Sequence, residues 1–306
     1  MSESQTHVAV LMGGWSAERE VSLNSGRGCA AGLRKAGFRV SEVDVGRDIW
    51  DVLRKLAPDV AFNALHGKWG EDGCVQAILE TLRIPYTHSG VLSSALAMHK
   101  EKSKAVFRAA GIPVAESRMV SLEEAATSHP LALPYVLKPV AEGSSVGVHI
   151  VLEGANGPVR QILQERAIFG DEVMAERFIP GRELTCAVIG DKATGIIDIV
   201  PTSGFYDYDA KYVPGGSRHI LPAQIPEAVA GKVREYSLAA HKALGCRGVS
   251  RSDFRYDEAR GELILLEVNT QPGMTGTSLV PELAAHMGIP MPELVAWMVR
   301  DASLDR

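Results

Sequence analysis

Glu262-Leu-Ile-Leu-Leu-Glu267-Val-Asn269-Thr-Gln-Pro-Gly273-Met-Thr-Gly-Thr-Ser278-Leu-Val-Pro281 opens as an apolar run and closes as a polar turn. The run predicts a buried strand. Because side chains alternate along a strand, Glu267 and Asn269, two positions apart, project to one face. Upstream, Val249-Ser-Arg251-Ser-Asp253-Phe repeats the spacing, so Arg251 and Asp253 share a face of their own strand. Asp257-Glu-Ala-Arg-Gly261 between the two reads as a hairpin turn. Closing that hairpin brings Asp253, Glu267 and Asn269 around one point. Hard oxygen ligands without His or Cys suit magnesium, which usually keeps waters and bridges to substrate phosphates. A lone carboxylate at a strand end is ordinarily just solvated. The joint pattern points instead to an enzyme that uses a nucleotide.

Working outward, the N-terminal third alternates strands and helices. His7-Val-Ala-Val-Leu-Met12 predicts a strand ending in Gly13-Gly14, and a helix follows from about Ala17 to Lys35. Phe38 to Asp44 and Asp59 to Asn63 read as further strands around a helix near Ile49 to Leu56. Such alternation indicates a parallel, doubly wound sheet, whose ligands gather at the C-terminal strand ends. Gly13-Gly14 and Leu65-His66-Gly67 fall there. The GxGxxG dinucleotide fingerprint is absent.

Organisation changes near residue 100, where a charged helix opens at His99. Leu133 to Lys138 and Val146 to Val151 then read as strands flanking a turn, followed by a helix near Val159 to Ile168 and a strand from Glu172 to Ile179. Pro180-Gly181 breaks that strand and Leu184 to Ile189 resumes it. The expected organisation is therefore α/β followed by α+β: residues 1–100 as an N-terminal unit, 101–186 as a small second unit, and 187–306 as a third that carries the metal-bearing strand pair.

Bulk properties exclude several classes. With 306 residues, 46% hydrophobic and 23% charged, the chain reads as an ordinary globular protein of two or three domains. A net charge of -5 leaves no footprint for nucleic acid. Cys29, Cys74, Cys186 and Cys246 have no CxxC spacing, so neither a zinc site nor a disulfide framework is expected. No apolar run approaches the 18 or so residues that span a bilayer. Met1-Ser-Glu-Ser-Gln lacks an apolar signal core, and the expected compartment is the cytoplasm.

Two further segments suit phosphate. Lys138 stands inside an apolar strand, where a buried ammonium needs an anionic partner such as a nucleotide phosphate, unless it snorkels to solvent from an edge strand. Glu142-Gly-Ser144-Ser145-Val-Gly147 follows, a turn whose N–H groups could wrap phosphate oxygens or simply connect strands. No GxxxxGK[ST] P-loop occurs. Phe205 to Arg218, with Lys211 and Tyr212, is long and aromatic, and reads as a lid or as an exposed loop.

With these residues on the page, the chain closely resembles the D-alanine–D-alanine ligases of the ATP-grasp superfamily over nearly its whole length. The resemblance is carried by Gly13-Gly-Trp-Ser-Ala-Glu18-Arg-Glu-Val-Ser22, Leu65-His66-Gly-Lys-Trp-Gly-Glu-Asp-Gly73, Lys138-Pro through Gly147, Tyr208-Asp-Ala-Lys211-Tyr212, and Leu266-Glu267-Val-Asn269-Thr-Gln-Pro-Gly273-Met-Thr. It implies a two-part ATP-grasp domain after the N-terminal unit. It also implies that ATP serves as co-substrate, with magnesium, or manganese in its place, held by Asp253, Glu267 and Asn269.

Further roles are implied position by position. Glu18 matches the residue that holds the first D-alanine's ammonium, networked with Ser144 and Tyr212, and His66 one near its carboxyl group. Lys100, Lys138 and Lys211 match phosphate-binding lysines, with Ser144 and Ser145 in the phosphate turn. Glu176, Phe178 and Ile179 match the adenine-contacting strand, and Glu183 the ribose-binding carboxylate. Arg251 and the Gly273 N–H match an oxyanion-stabilising pair. Ser278 and Leu279 fall where the second substrate's carboxylate binds. A homodimer is also implied. The rivals are a ligase joining D-alanine to D-lactate or D-serine, and a nucleotide-binding regulator without chemistry. Lys211-Tyr212 speaks against a D-lactate acceptor, because relatives using it depart from the pattern there, and Arg251 speaks against a pure binder.

Overall fold

The computed structural model describes residues 5–143, 146–202 and 215–305. The N-terminal unit is built on β1 (His7–Met12), β2 (Arg39–Asp44) and β3 (Val60–Asn63), all parallel in the order β2-β1-β3. β1 is buried along its full length, which explains its unbroken apolar sequence: both faces of a central parallel strand are covered. Helices α1 (Arg19–Lys35), α2 (Ile49–Leu56) and α3 (Cys74–Leu82) complete the winding. Leu11 lies opposite Asn63, so the turns that follow β1 and β3 leave the sheet side by side. Ser22 ties them together, accepting from the Gly13 N–H and donating to the Ala64 carbonyl, each at 2.8 Å.

Helices α4 (Val91–Met98) and α5 (Lys100–Ala109) lead into an antiparallel sheet of β4 (Ser117–Ser121), β5 (Tyr135–Lys138), β6 (His149–Val151) and β7 (Glu172–Arg177), in the order β4-β7-β5-β6. Helix α6 (Leu122–Thr127) lies between β4 and β5 in the chain. The helix expected from Val159 to Ile168 is a 3-10 turn, Arg160–Glu165, running into the short α7 (Arg166–Phe169). A five-stranded antiparallel sheet follows, with β8 (Arg182–Ile189), β9 (Lys192–Pro201), β10 (Ser217–Ile220), β11 (Val249–Asp257) and β12 (Glu262–Asn269) in the order β10-β9-β8-β11-β12. Ser217 and Arg218, read from sequence as part of an irregular loop, begin β10. Helix α8 (Glu227–Ala243) packs against this sheet, and α9 (Leu279–His286) and α10 (Met291–Asp301) end the chain.

The third unit was expected to start at residue 187, but that position lies inside β8, which joins the five-stranded sheet from Arg182. The passage between sheets falls at Pro180-Gly181. Gly181 has a φ of +96°, and a Cβ there would lie 2.1 Å from the Tyr256 carbonyl, so glycine alone lets the chain cross this close to β11.

The C-terminal helices return to the beginning. Val10 and Leu33 share one apolar core with Leu294, Val295 and Met298 of α10 and with Ile197 and Val249 of the large sheet. Of the four cysteines, Cys29, Cys186 and Cys246 are buried thiols as expected, while Cys74 is exposed at the start of α3. Among the described residues no helix is long and apolar enough to cross a membrane.

Candidate active site

At the ends of β1 and β3, Glu18 stands just ahead of α1 and is buried. Two glycines make room for it: a Cβ on Gly67 would lie 2.7 Å from Glu18 Oε2, and one on Gly143 3.1 Å. The carboxylate therefore sits at the seam between the His66-Gly67 turn and the Gly-rich turn after β5. Lys68 and Glu142 form an ion pair across the same seam. His66 is held on both sides, by Glu71 at 3.1 Å from Nδ1 and by Ser25 Oγ at 3.0 Å from Nε2. Burial pushes the Glu71 carboxyl up, with the His66 hydrogen bond opposing and the Glu18 charge adding to the rise.

The β11–β12 hairpin places Arg251 opposite Asn269 and Asp253 opposite Glu267, all four on one face. A register shift follows Asp253, where Phe254 pairs with Leu265 rather than with Leu266. Asp253 accepts the Thr185 hydroxyl at 2.6 Å and a two-pronged pair from Arg251, with Nε–Oδ1 at 2.9 Å and Nη2–Oδ2 at 2.7 Å. Lys100 Nζ lies 3.4 Å from Glu267 Oε2 and donates to the Glu142 carbonyl at 2.6 Å. Two carboxylates and a carboxamide, each beside a cation or a hydrogen-bond donor, form an oxygen-only set of the kind a divalent magnesium ion takes. The residues fit that ion.

Beyond Asn269 the chain turns sharply. Asn269 Oδ1 accepts the Gln271 N–H at 2.8 Å, an Asx-type turn. Gln271 is buried; its carbonyl oxygen accepts from Asn63 Nδ2 at 2.6 Å and its amide donates to the Leu65 carbonyl. This pin locks the turn to β3. Ser25 accepts the Met274 N–H at 3.2 Å and fixes the next residue. Gly273 faces Ser278, where a Cβ would lie 2.9 Å from Oγ. Ser278 precedes α9 without capping it, since its Oγ accepts the Thr275 N–H at 2.9 Å. The Leu279 side chain belongs to the core, so its backbone N–H at the helix start is what it can offer a carboxylate.

Two adjoining cavities result. The larger, about 510 Å³, is bordered by Glu18, His66, Arg251, Asn269, Gly273, Ser278 and Leu279. The smaller, about 110 Å³, is bordered by Lys138, Glu176, Phe178, Ile179, Glu183 and Asp253. Lys100, Glu142, Gly143 and Glu267 border both. Every described residue that the resemblance assigns a substrate, nucleotide, metal or oxyanion role therefore lines one cavity or the other, while Gly13, Gly14, Leu65 and Gly67 at the strand ends line neither. The expectations on Ser144, Ser145, Lys211 and Tyr212 lie outside the described residues.

Lys138 does have an anionic partner, Glu176 on the adjacent β7, at 2.5 Å. The same carboxylate takes Lys104, which sequence reading passed over. Glu183 pairs with Arg255 at 3.2 Å, and Arg255 also donates to the carbonyls of Ile179 and Gly181, bracing the segment after β7. Ser25, Glu71, Asn63, Gln271, Thr185, Lys104 and Arg255 were all missed as site-building residues. A signal existed for Ser25: Glu18, Ser22 and Ser25 at i, i+4 and i+7 mark a polar stripe on one face of α1. Glu71 and Gln271 sit within segments already picked out.

This arrangement of two cavities meeting at Lys100 and Glu267 can be set beside known proteins. Residues 106–300 match the family model described as the D-ala D-ala ligase C-terminus, and residues 51–89 that of the D-ala D-ala ligase N-terminus. The chain is 64% identical over 309 residues to the D-alanine–D-alanine ligase of Parvibaculum lavamentivorans, covering 100% of both. It belongs to the D-alanine–D-alanine ligase family. Against the same enzyme of Methylobacterium radiotolerans identity is 62%, over 98% of this chain and 99% of that one. The crystal structure of the Bacillus anthracis ligase complexed with ATP matches with a TM-score of 0.83 and 31% identity, covering 97% of each chain. The mixed architecture, with a parallel sheet first and antiparallel sheets after, is that of this ligase family.

Proposed function

We propose that the chain joins two D-alanines into D-alanyl-D-alanine at the expense of ATP, for cell-wall peptidoglycan. The observation that carries the site assignment is that the two cavities meet at Lys100 and Glu267. In this reading ATP occupies the smaller cavity, with adenine along Glu176 to Ile179, ribose at Glu183, and phosphates toward Lys138 and Lys100. Both amino acids occupy the larger one. Glu18 holds the first ammonium and turns that substrate's carboxylate toward the γ-phosphate. The N-terminal end of α9, through Ser278 and the Leu279 N–H, holds the carboxylate of the second.

The first carboxylate attacks the γ-phosphate, giving an acyl phosphate and ADP; the second amine then attacks the carbonyl and phosphate leaves. Negative charge accumulates in both steps, and Arg251 with the Gly273 N–H lies where it develops. Asp253, Glu267 and Asn269 would hold magnesium, or manganese, which when bound neutralises charge on the phosphate oxygens. Arg251 and Lys100, now paired with Asp253 and Glu267, are then available to substrate oxygens. The His66–Glu71–Ser25 contacts orient His66 at the larger cavity beside Glu18. The three-unit division, a cytoplasmic setting and a homodimer belong to the same reading.

The test is phosphate release from ATP and Mg²⁺ with D-alanine, L-alanine or no amino acid, with the product mass determined. Release confined to D-alanine, with the dipeptide mass, is expected. Release without D-alanine, or none despite ATP binding, would overturn the reading.

A further inference from the structure

Lys104 lies on α5 one turn beyond Lys100 and is fully buried. Its ammonium meets Oε1 of Glu176, while Lys138 meets Oε2 at 2.5 Å. Two cations thus share one buried carboxylate. Lys138 and Glu176 line the smaller cavity; Lys104 stands behind them, off its surface. Burial draws Lys104 down to about 8, against the pull of Glu176. A methionine would fill the same space without desolvating a charge, so packing alone gives no reason for an ammonium here.

Phosphates entering the cavity compete with Glu176 for Lys138. With a single cation behind it, Glu176 would lose all compensation as Lys138 turned to the nucleotide, and a bare buried carboxylate is strongly disfavoured. We propose that Lys104 is a positioning residue for the nucleotide: it keeps Glu176 compensated and thereby frees the Lys138 ammonium for the phosphates. The proposal rests on the reading of this cavity as the ATP site.

The test is a double-mutant cycle read by calorimetric binding of ATP and of a non-hydrolysable analogue, with KM measured for each substrate. Lys104→Met leaves Lys138 held by Glu176, and ATP affinity is expected to fall by about ten-fold or more, the scale of one charge-assisted hydrogen bond. KM for D-alanine at saturating ATP should stay put, and Lys104→Arg should restore ATP affinity. Adding Glu176→Gln to Lys104→Met removes the carboxylate that traps Lys138, so the double variant should bind ATP as Glu176→Gln alone does. Should Lys104→Met fail to fold, that last comparison still decides, because the double variant keeps only Lys138, which borders the cavity, and no buried carboxylate that needs a cation. A double variant much weaker than Glu176→Gln, or a folded Lys104→Met that binds ATP like wild type, overturns the proposal. Lys138→Met separates the premises: unchanged ATP affinity there sinks the ATP-site reading itself, whereas weakened binding there with Lys104→Met unaffected sinks only the role of Lys104.

Discussion

Gly67 and Gly111 both have a φ of +72°, yet they meet opposite surroundings. A Cβ on Gly111 has nothing within 4 Å, while one on Gly67 falls 2.7 Å from Glu18 Oε2 and 3.2 Å from Ser16 Cβ. Alanine in a left-handed conformation costs about 1–2 kcal/mol, partly offset by the smaller entropy of its unfolded chain, about 0.4–1 kcal/mol. Both substitutions should therefore lower stability by roughly 1 kcal/mol, a melting shift of about 2 °C in a chain this long. Only Gly67→Ala must also push the Glu18 carboxylate out of its seat, since 2.7 Å is inside any ordinary van der Waals separation. If Glu18 binds the first D-alanine's ammonium, a charge-assisted hydrogen bond of about 1.5–3 kcal/mol is at stake. KM for D-alanine in Gly67→Ala should then rise about 10- to 100-fold, with Gly111→Ala near wild type. Melting curves and initial rates with D-alanine varied at saturating ATP measure both effects. Equal KM values in the two variants, after equal melting shifts, would refute the placement of Glu18 at the substrate.

Three other outcomes follow from the same geometry. Arg251→Ala should lower kcat by about 10²–10³, the scale of one lost oxyanion donor, and activity within a few-fold of wild type would sink that role. Gln271→Leu removes the bonds to Asn63 and Leu65 and should cost about 2–4 kcal/mol in denaturant unfolding, since the Leu65 carbonyl and one Asn63 N–H lose their partner while the Asn63 amide keeps its bond to Gly70; an unchanged midpoint would show that the turn is held otherwise. His241, beside Ser250 at 2.7 Å, is drawn from 6.5 to about 4, chiefly by burial and then by Lys242, with Asp301 opposing. Its depressed value means the unfolded chain takes up the proton first. Its contribution is therefore complete above pH 6.5 and is lost as pH falls toward 4. The loss amounts to about 3 kcal/mol at most, and His241→Gln should flatten the pH dependence across that window; an unaltered slope would assign it to the carboxylates.

Much of the site was legible because its spacing is local. The i, i+2 alternation of Arg251 with Asp253 and of Glu267 with Asn269 needs only a hairpin to bring four side chains to one face, and the turn at 258–261 closes it. Likewise the apolar β1 with Gly13-Gly14 after it, and the turn carrying His66 and Gly67 after β3, announce a parallel sheet with ligands at its strand ends. What stayed hidden depends on partners far apart in the chain. Gln271 meets Asn63 across 208 residues, and nothing in the spelling of either segment names the other. Lys138 plainly required an anion, but whether that was a phosphate or Glu176 was decided by the pairing of β5 with β7, which sets Val136 opposite Glu176. The start of the large sheet at Arg182 was decided by the crossing at Gly181, and the cover over α1 by a helix from the other end of the chain. Periodicity records which face of an element is apolar, and so determines that it must be buried. Which surface buries it, and which charge answers a buried charge, is settled only when the packed layers exclude water and leave each polar group its nearest partner.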